Sequence, residues 1–166
     1  MSHLLVPRQN WKYYNMNTHL PMAVKRECGT CTKCCEGYLT ATVRGREVTK
    51  GKPCIFVEIG KGCKDYKNRP KDPCKDFTCA WKVIDEMPDN FKPEESGVIF
   101  TWKKTTKSDI LYLRLDPAPN NPSPQILTWA FLFVLKNNTN FVWVVDDGVY
   151  YYGSIDFCNE MRPLYG

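Results

Sequence analysis

The stretch CGTCTKCCEG, residues 28 to 37, places Cys28, Cys31, Cys34 and Cys35 within eight positions, and Cys54, Cys63, Cys74 and Cys79 follow. Eight thiols in 52 residues constrain this stretch more than any hydropathy pattern does. Cysteines separated by two residues can both reach one metal ion, because the turn between them aims amide N–H groups at the thiolates. Gly29 tolerates such a tight turn. Adjacent side chains diverge, so Cys34 and Cys35 more naturally serve two centres, or two metals of one cluster. The count suits two four-sulfur sites, and one polynuclear site satisfies it equally. Where metal binds, it serves as a structural staple or as a chemically active centre. Disulfides, or reduced thiols without metal, are the remaining readings.

Compartment and charge bear on that choice. The 166 residues suffice for one domain, or one domain plus a smaller module, and can bury a real core. Composition is that of an ordinary globular protein, 43% hydrophobic and 25% charged, so small size does not explain the thiols. No apolar run reaches the roughly eighteen residues of a membrane span. The opening MSHLLVPRQNWKYYNMN is too polar for a secretory signal. The chain is therefore expected in the reducing cytoplasm, where clustered cysteines bind metal rather than pair. Residues 25 to 82 hold 14 Lys and Arg against 7 Asp and Glu, while the rest hold 9 against 11. Two zinc ions on eight thiolates would add roughly −4, which this basic surplus balances. The lysines form no run or helical stripe, so nucleic-acid binding through this patch is not favoured.

Three segments follow from composition. Residues 1–24 read as a polar and aromatic arm. Residues 25–88 form the cysteine-cluster region, with little apolar material of its own. Within it YLTATV (38–43) and CIFVEIG (54–60) are strand candidates, and CAWKVIDEM (79–87) reads as a short helix stopped by Pro88. Residues 97–166 read as a ββαββ layer, expected to form one compact unit with the preceding region. VIFTWKKTT and ILYLRLD make a hairpin. SPQILTWAFLFVLKNN is a buried helix with Ser123 as N-cap and Pro124 in the first turn, and FVWVVDDGVYYYG is a second hairpin around Asp147-Gly148. SIDFCNEM closes the chain as a helical turn capped by Ser154. The fold class is α+β: a metal-stapled half on an antiparallel sheet with one main helix.

Much familiar chemistry is missing. The two histidines, His3 and His19, lie in the arm, so a nucleophile triad with a core-mounted histidine is not expected. Neither HExxH nor the His-x-Glu of zinc deaminases occurs. No glycine-rich phosphate loop is present; Gly60-Lys61-Gly62 lacks the helix and third glycine. Asp146-Asp147 is a turn rather than a catalytic pair. Alternation along VYYYG and FVWVV buries every second ring, which outweighs a stacking surface for single strands. Cys158, away from the cluster, is a buried thiol.

The pattern CGTCTKCC, then KPCIF, then GCKDYKNRPKDPCKDF resembles the bacterial zinc- or iron-chelating cysteine-cluster family named for its CxxCxxCC motif. The resemblance spans residues 28–79, with Cys63, Tyr66, Arg69, Pro70, Cys74 and Phe77 forming one block and Cys79 at the late position. It implies that all eight cysteines are metal ligands, with zinc, iron or an iron–sulfur cluster as cofactor. Arg69 is expected either to donate N–H groups to thiolates or carbonyls beside the metal or to lie exposed in a turn, and Tyr66 and Phe77 are expected to pack over the site. The leading expectation is a metal-binding protein with a binding, regulatory or structural role and no established catalytic residue. An iron–sulfur enzyme or electron carrier is the first alternative, and a zinc-ribbon-like nucleic-acid binder the second.

Overall fold

The structure, a computed structural model, describes residues 26–166. The expected arm, with His3 and His19, lies outside the described residues. The cysteine region is made of short pieces. They are a 3-10 turn (Lys33–Glu36), strands β1 (Ala41–Val43), β2 (Arg46–Val48), β3 (Val57–Glu58) and β4 (Gly62–Cys63), an irregular turn (Lys71–Lys75) and helix α1 (Ala80–Val83). β1 and β2 form a hairpin whose turn residues Arg44 and Gly45 have φ of 49° and 76°, the left-handed pair that a two-residue turn demands. The strand expected over 38–43 is only its last three residues, because its partner spans Arg46–Val48. The one expected over 54–60 is two residues of the β3–β4 hairpin. Buried apolar residues between positions 26 and 78 are Val43, Val48 and Cys54. The segment is as poor in core as its composition implies.

The helix expected over 79–87 ends at Val83. Ile84 turns extended (ψ 101°), and Ile84 and Met87 both enter the core, 2% and 1% exposed. Carbonyls that a longer helix would satisfy are taken by one side chain. The Arg26 guanidinium donates to Trp81 O at 2.8 Å, Ile84 O at 2.9 Å and Met87 O at 2.6 Å while lying over the Trp81 ring.

A one-turn helix, α2 (Pro93–Ser96), leads into β5 (Val98–Lys104), β6 (Leu111–Pro117), α3 (Pro124–Lys136), β7 (Asn140–Val145), β8 (Gly148–Tyr152) and α4 (Ile155–Tyr165). The four strands form one sheet in the order β5-β6-β7-β8. The α+β class and the ββαββ order are as expected, but the sheet is not antiparallel throughout. β6 and β7 pair in parallel, from Tyr112↔Asn140 to Leu115↔Trp143, because α3 carries the chain back to the end where β6 began. Ser123 Oγ accepts the Ile126 N–H, and Pro124 opens α3, as the sequence implies.

Both faces of the sheet are covered. On one, Phe100, Leu113, Leu115 and Phe141 meet Ile126, Ala130, Phe133 and Val134 of α3, and Trp81, Ile84, Met87 and Phe91 join the same core. On the other, Tyr112 and Val142 meet Phe157 and Met161, one helical turn apart on α4. The expected closing turn is thus an eleven-residue helix, capped by Ser154 as expected. Cys158 packs half-buried against this second core, rather than fully buried. The second hairpin turns at Asp146-Asp147, one residue earlier than expected, with Val145 paired to Gly148. Asn121 holds that turn, accepting the Asp146 N–H at 3.2 Å and donating to its carboxylate at 2.6 Å. Tyr150 and Tyr152 are 42% and 44% exposed; Trp143 stacks on Tyr150 at 5.6 Å.

Candidate metal centre

The nine cysteines are all free thiols. Cys28 and Cys31 flank a turn closed by the Cys31 N–H on the Cys28 carbonyl at 3.0 Å, with Gly29 at φ +56°. The 3-10 turn follows, and it carries Cys34 and Cys35 with their sulfurs 3.8 Å apart. Its C-cap, Gly37, has φ +93°, and a Cβ there would lie 2.0 Å from the Thr49 carbonyl oxygen. Only glycine permits that approach, which lays the 49–54 segment against the turn. The Cys54 N–H then bonds the Cys35 carbonyl at 2.9 Å. Cys79 arrives from the other side, as the N-cap of α1, anchored by the shared core.

The thiols' electrostatic neighbours divide them into two sets of four. Cys34 has Cys35, then Cys28 and Cys79, as charged neighbours, and Cys79 has Cys28 and Cys31. Cys74 senses Cys35, Cys54 and Cys63. The first set is therefore Cys28, Cys31, Cys34 and Cys79, and the second is Cys35, Cys54, Cys63 and Cys74. They meet at the Cys34–Cys35 pair. Cys35, Cys54 and Cys74 also share a small apolar cluster with Val43 and Val48. Among the described residues no three His, Cys, Asp or Glu side chains stand close enough to hold a metal ion as placed. The sets are neighbourhoods rather than ligand cages.

Their chemistry can be read thiol by thiol. In the adjacent pair the shared hydrogen bond separates the two. Cys34 holds its proton, raised first by that bond, then by burial and the neighbouring thiols. Cys35 is lowered to about 7, chiefly by the same bond, with Arg69 helping and burial opposing. Burial pushes Cys79 up to about 12, against the backbone N–H of Trp81. Burial also raises Cys31, against N–H bonds from Lys33 and Glu94. An all-sulfur donor set with peptide N–H groups aimed at it suits a thiophilic ion, which displaces the protons that burial otherwise retains.

Arg69 lies beside Cys35 and Cys74, and its buried Nε has no hydrogen-bond partner among the described residues. Its guanidinium lies 3.6 Å from the centroid of the Tyr66 ring. A buried donor left over next to thiols fits the expected role beside a charged sulfur centre. Tyr66 is 63% exposed and covers the arginine rather than the sulfurs. Phe77 is half-buried, its N–H on the Pro73 carbonyl at 2.8 Å.

Several supporting residues escaped sequence reasoning. Arg26 fixes the segment that follows Cys79. Arg44 donates at 2.7 Å to both Asp65 and the Asn68 carbonyl, locking the β1–β2 turn to the loop that presents Arg69. Thr32 is buried, accepting the Gly60 N–H and donating to Glu36. Glu94 pairs with Lys92 and accepts from the Thr30 hydroxyl, bringing α2 against the CxxCxxC loop. These partners lie mostly tens of residues apart, so no local spacing reveals them. No family model, curated protein or solved structure matches the chain. The resemblance to the CxxCxxCC family rests on the cysteine spacing.

Proposed function

We propose that this is a metal-binding protein of the CxxCxxCC kind, holding two thiophilic ions or clusters in two four-cysteine centres. Cys28, Cys31, Cys34 and Cys79 would hold one, and Cys35, Cys54, Cys63 and Cys74 the other. The observation that carries the reading is the partition of eight free thiols into two neighbourhoods of four that divide between adjacent residues. Binding would draw each set inward and supply order that three buried apolar residues cannot. Arg69 would then donate its free Nε–H toward the second centre. The free thiols suit a reducing compartment such as the cytoplasm.

Zinc is the simpler occupant. Three ligands from one CxxCxxC run plus a remote fourth also suit an iron–sulfur cluster in the first set, which would supply electron transfer. Elemental analysis and an absorption spectrum of anaerobically purified protein decide. About two zinc per chain in a colourless sample is the expected result for four-thiolate sites. A brown sample that bleaches on reduction assigns iron–sulfur instead. Metal-free protein from a metal-replete culture refutes the proposal.

A further inference from the structure

We infer that the two four-cysteine centres load as one unit, the first ion bound preparing the site of the second. The inference rests on the two-centre reading above. Cys34 and Cys35 fall in different sets, yet they are consecutive residues of one short turn with sulfurs 3.8 Å apart. A bond that fixes either one confines the other to the freedom of a single side chain. One further contact joins the sets. The Gly60 N–H, on the loop between Cys54 and Cys63, donates to the buried Thr32 hydroxyl, between Cys31 and Cys34, at 3.3 Å. Apart from these contacts the loops have few anchors, since Val43, Val48 and Cys54 are the buried apolar residues between 26 and 78. Closing one centre therefore orders chain that the other also needs. The entropy of that ordering is lost once rather than twice.

Charge works in the opposite direction. A divalent ion with four thiolates carries about two negative charges, and two such centres side by side repel. The basic residues are placed to relieve this. Lys33 and Lys92 lie by Cys31, Lys82 by Cys79, and Arg69 by Cys35 and Cys74. Lys33 and Lys92 are shared with Glu36 and Glu94, so the relief comes mainly from Lys82 and Arg69, one beside each set. Nothing comparable replaces the shared ordering, and the balance falls to positive coupling.

The test is stepwise addition of zinc to the full, reduced, metal-free chain, followed by native mass spectrometry. The expected spectrum at half-loading shows metal-free and two-zinc species. One-zinc species should fall well below the about one half that two equal, independent sites produce. A one-zinc fraction at or above that level overturns the coupling and leaves the two-centre reading standing. Failure to bind zinc at all overturns both. A second arm uses Cys63→Ser, which alters the second set alone. Competition with a chromophoric chelator should show the first centre holding zinc about tenfold or more weakly. An unchanged affinity of that centre overturns the coupling.

Discussion

At the scale of single residues, the side chains that organise this molecule are not its cysteines alone. Arg26 satisfies three main-chain carbonyls in and just beyond α1, and lysine cannot reproduce its fork. Arg26→Ala should destabilise the protein by about 2–4 kcal/mol, since partly buried carbonyls lose a charged donor. Urea denaturation would measure this, and Arg26→Lys should recover only part of the loss. Two carboxylates give the CxxCxxC loop a pH dependence. Burial works to raise Glu36, but the Thr32 hydroxyl and Lys33 ammonium outweigh it and hold the group below its ordinary value. Lys92 lowers Glu94. For lowered carboxyls, stability is present above the unfolded-state value and is lost as pH falls through the folded one. Thermal unfolding of metal-free protein should therefore show stability falling below about pH 4. Glu36→Gln with Glu94→Gln should flatten that profile.

Elements in the cysteine region are short because backbone hydrogen bonding, unsupported by apolar burial, does not sustain longer ones. Gly37 shows how tightly they are nonetheless fitted. Gly37→Ala would force a Cβ against the Thr49 carbonyl at a backbone conformation that alanine avoids. The strain is about 1–3 kcal/mol. We expect the turn to withdraw from the 49–54 segment, breaking the Cys54 N–H to Cys35 carbonyl hydrogen bond within the second set. Zinc stoichiometry should fall in the variant, while the circular dichroism of the larger sheet stays unchanged. Elements of the sheet behave differently, since β5, β6, α3 and β7 share one core and their lengths follow from burial.

For the whole molecule, the contrast is between a segment poor in core and a sheet covered by α3 and α4. Limited proteolysis after chelation should cut within residues 26–78 and leave the β5–α4 unit intact. Equal resistance with and without metal would count against metal as the source of order. Cys79 is the covalent link between these halves. It leads directly into Ala80 and Trp81, which are 0% and 7% exposed, so the first cysteine set closes onto the main core. The second set has only its small cluster with Val43 and Val48. Chelation should therefore loosen the 40–76 loops before it disturbs Cys79.

The sequence by itself determined the cysteine constellation, the poverty of core around it, the two hairpins and the capped helix between them. These are local matters of spacing, alternation and capping, which neighbouring residues decide. It also suggested that Cys34 and Cys35 serve two centres, or two metals of one cluster. Only the tertiary structure decided the partners: which distant thiols stand near each, the parallel β6–β7 pair, α4 as a full covering helix, and the early end of α1 under Arg26. Such outcomes depend on contacts across tens of residues. Those are selected by burial and by hydrogen-bond demand in the assembled chain, and no short stretch of sequence contains them.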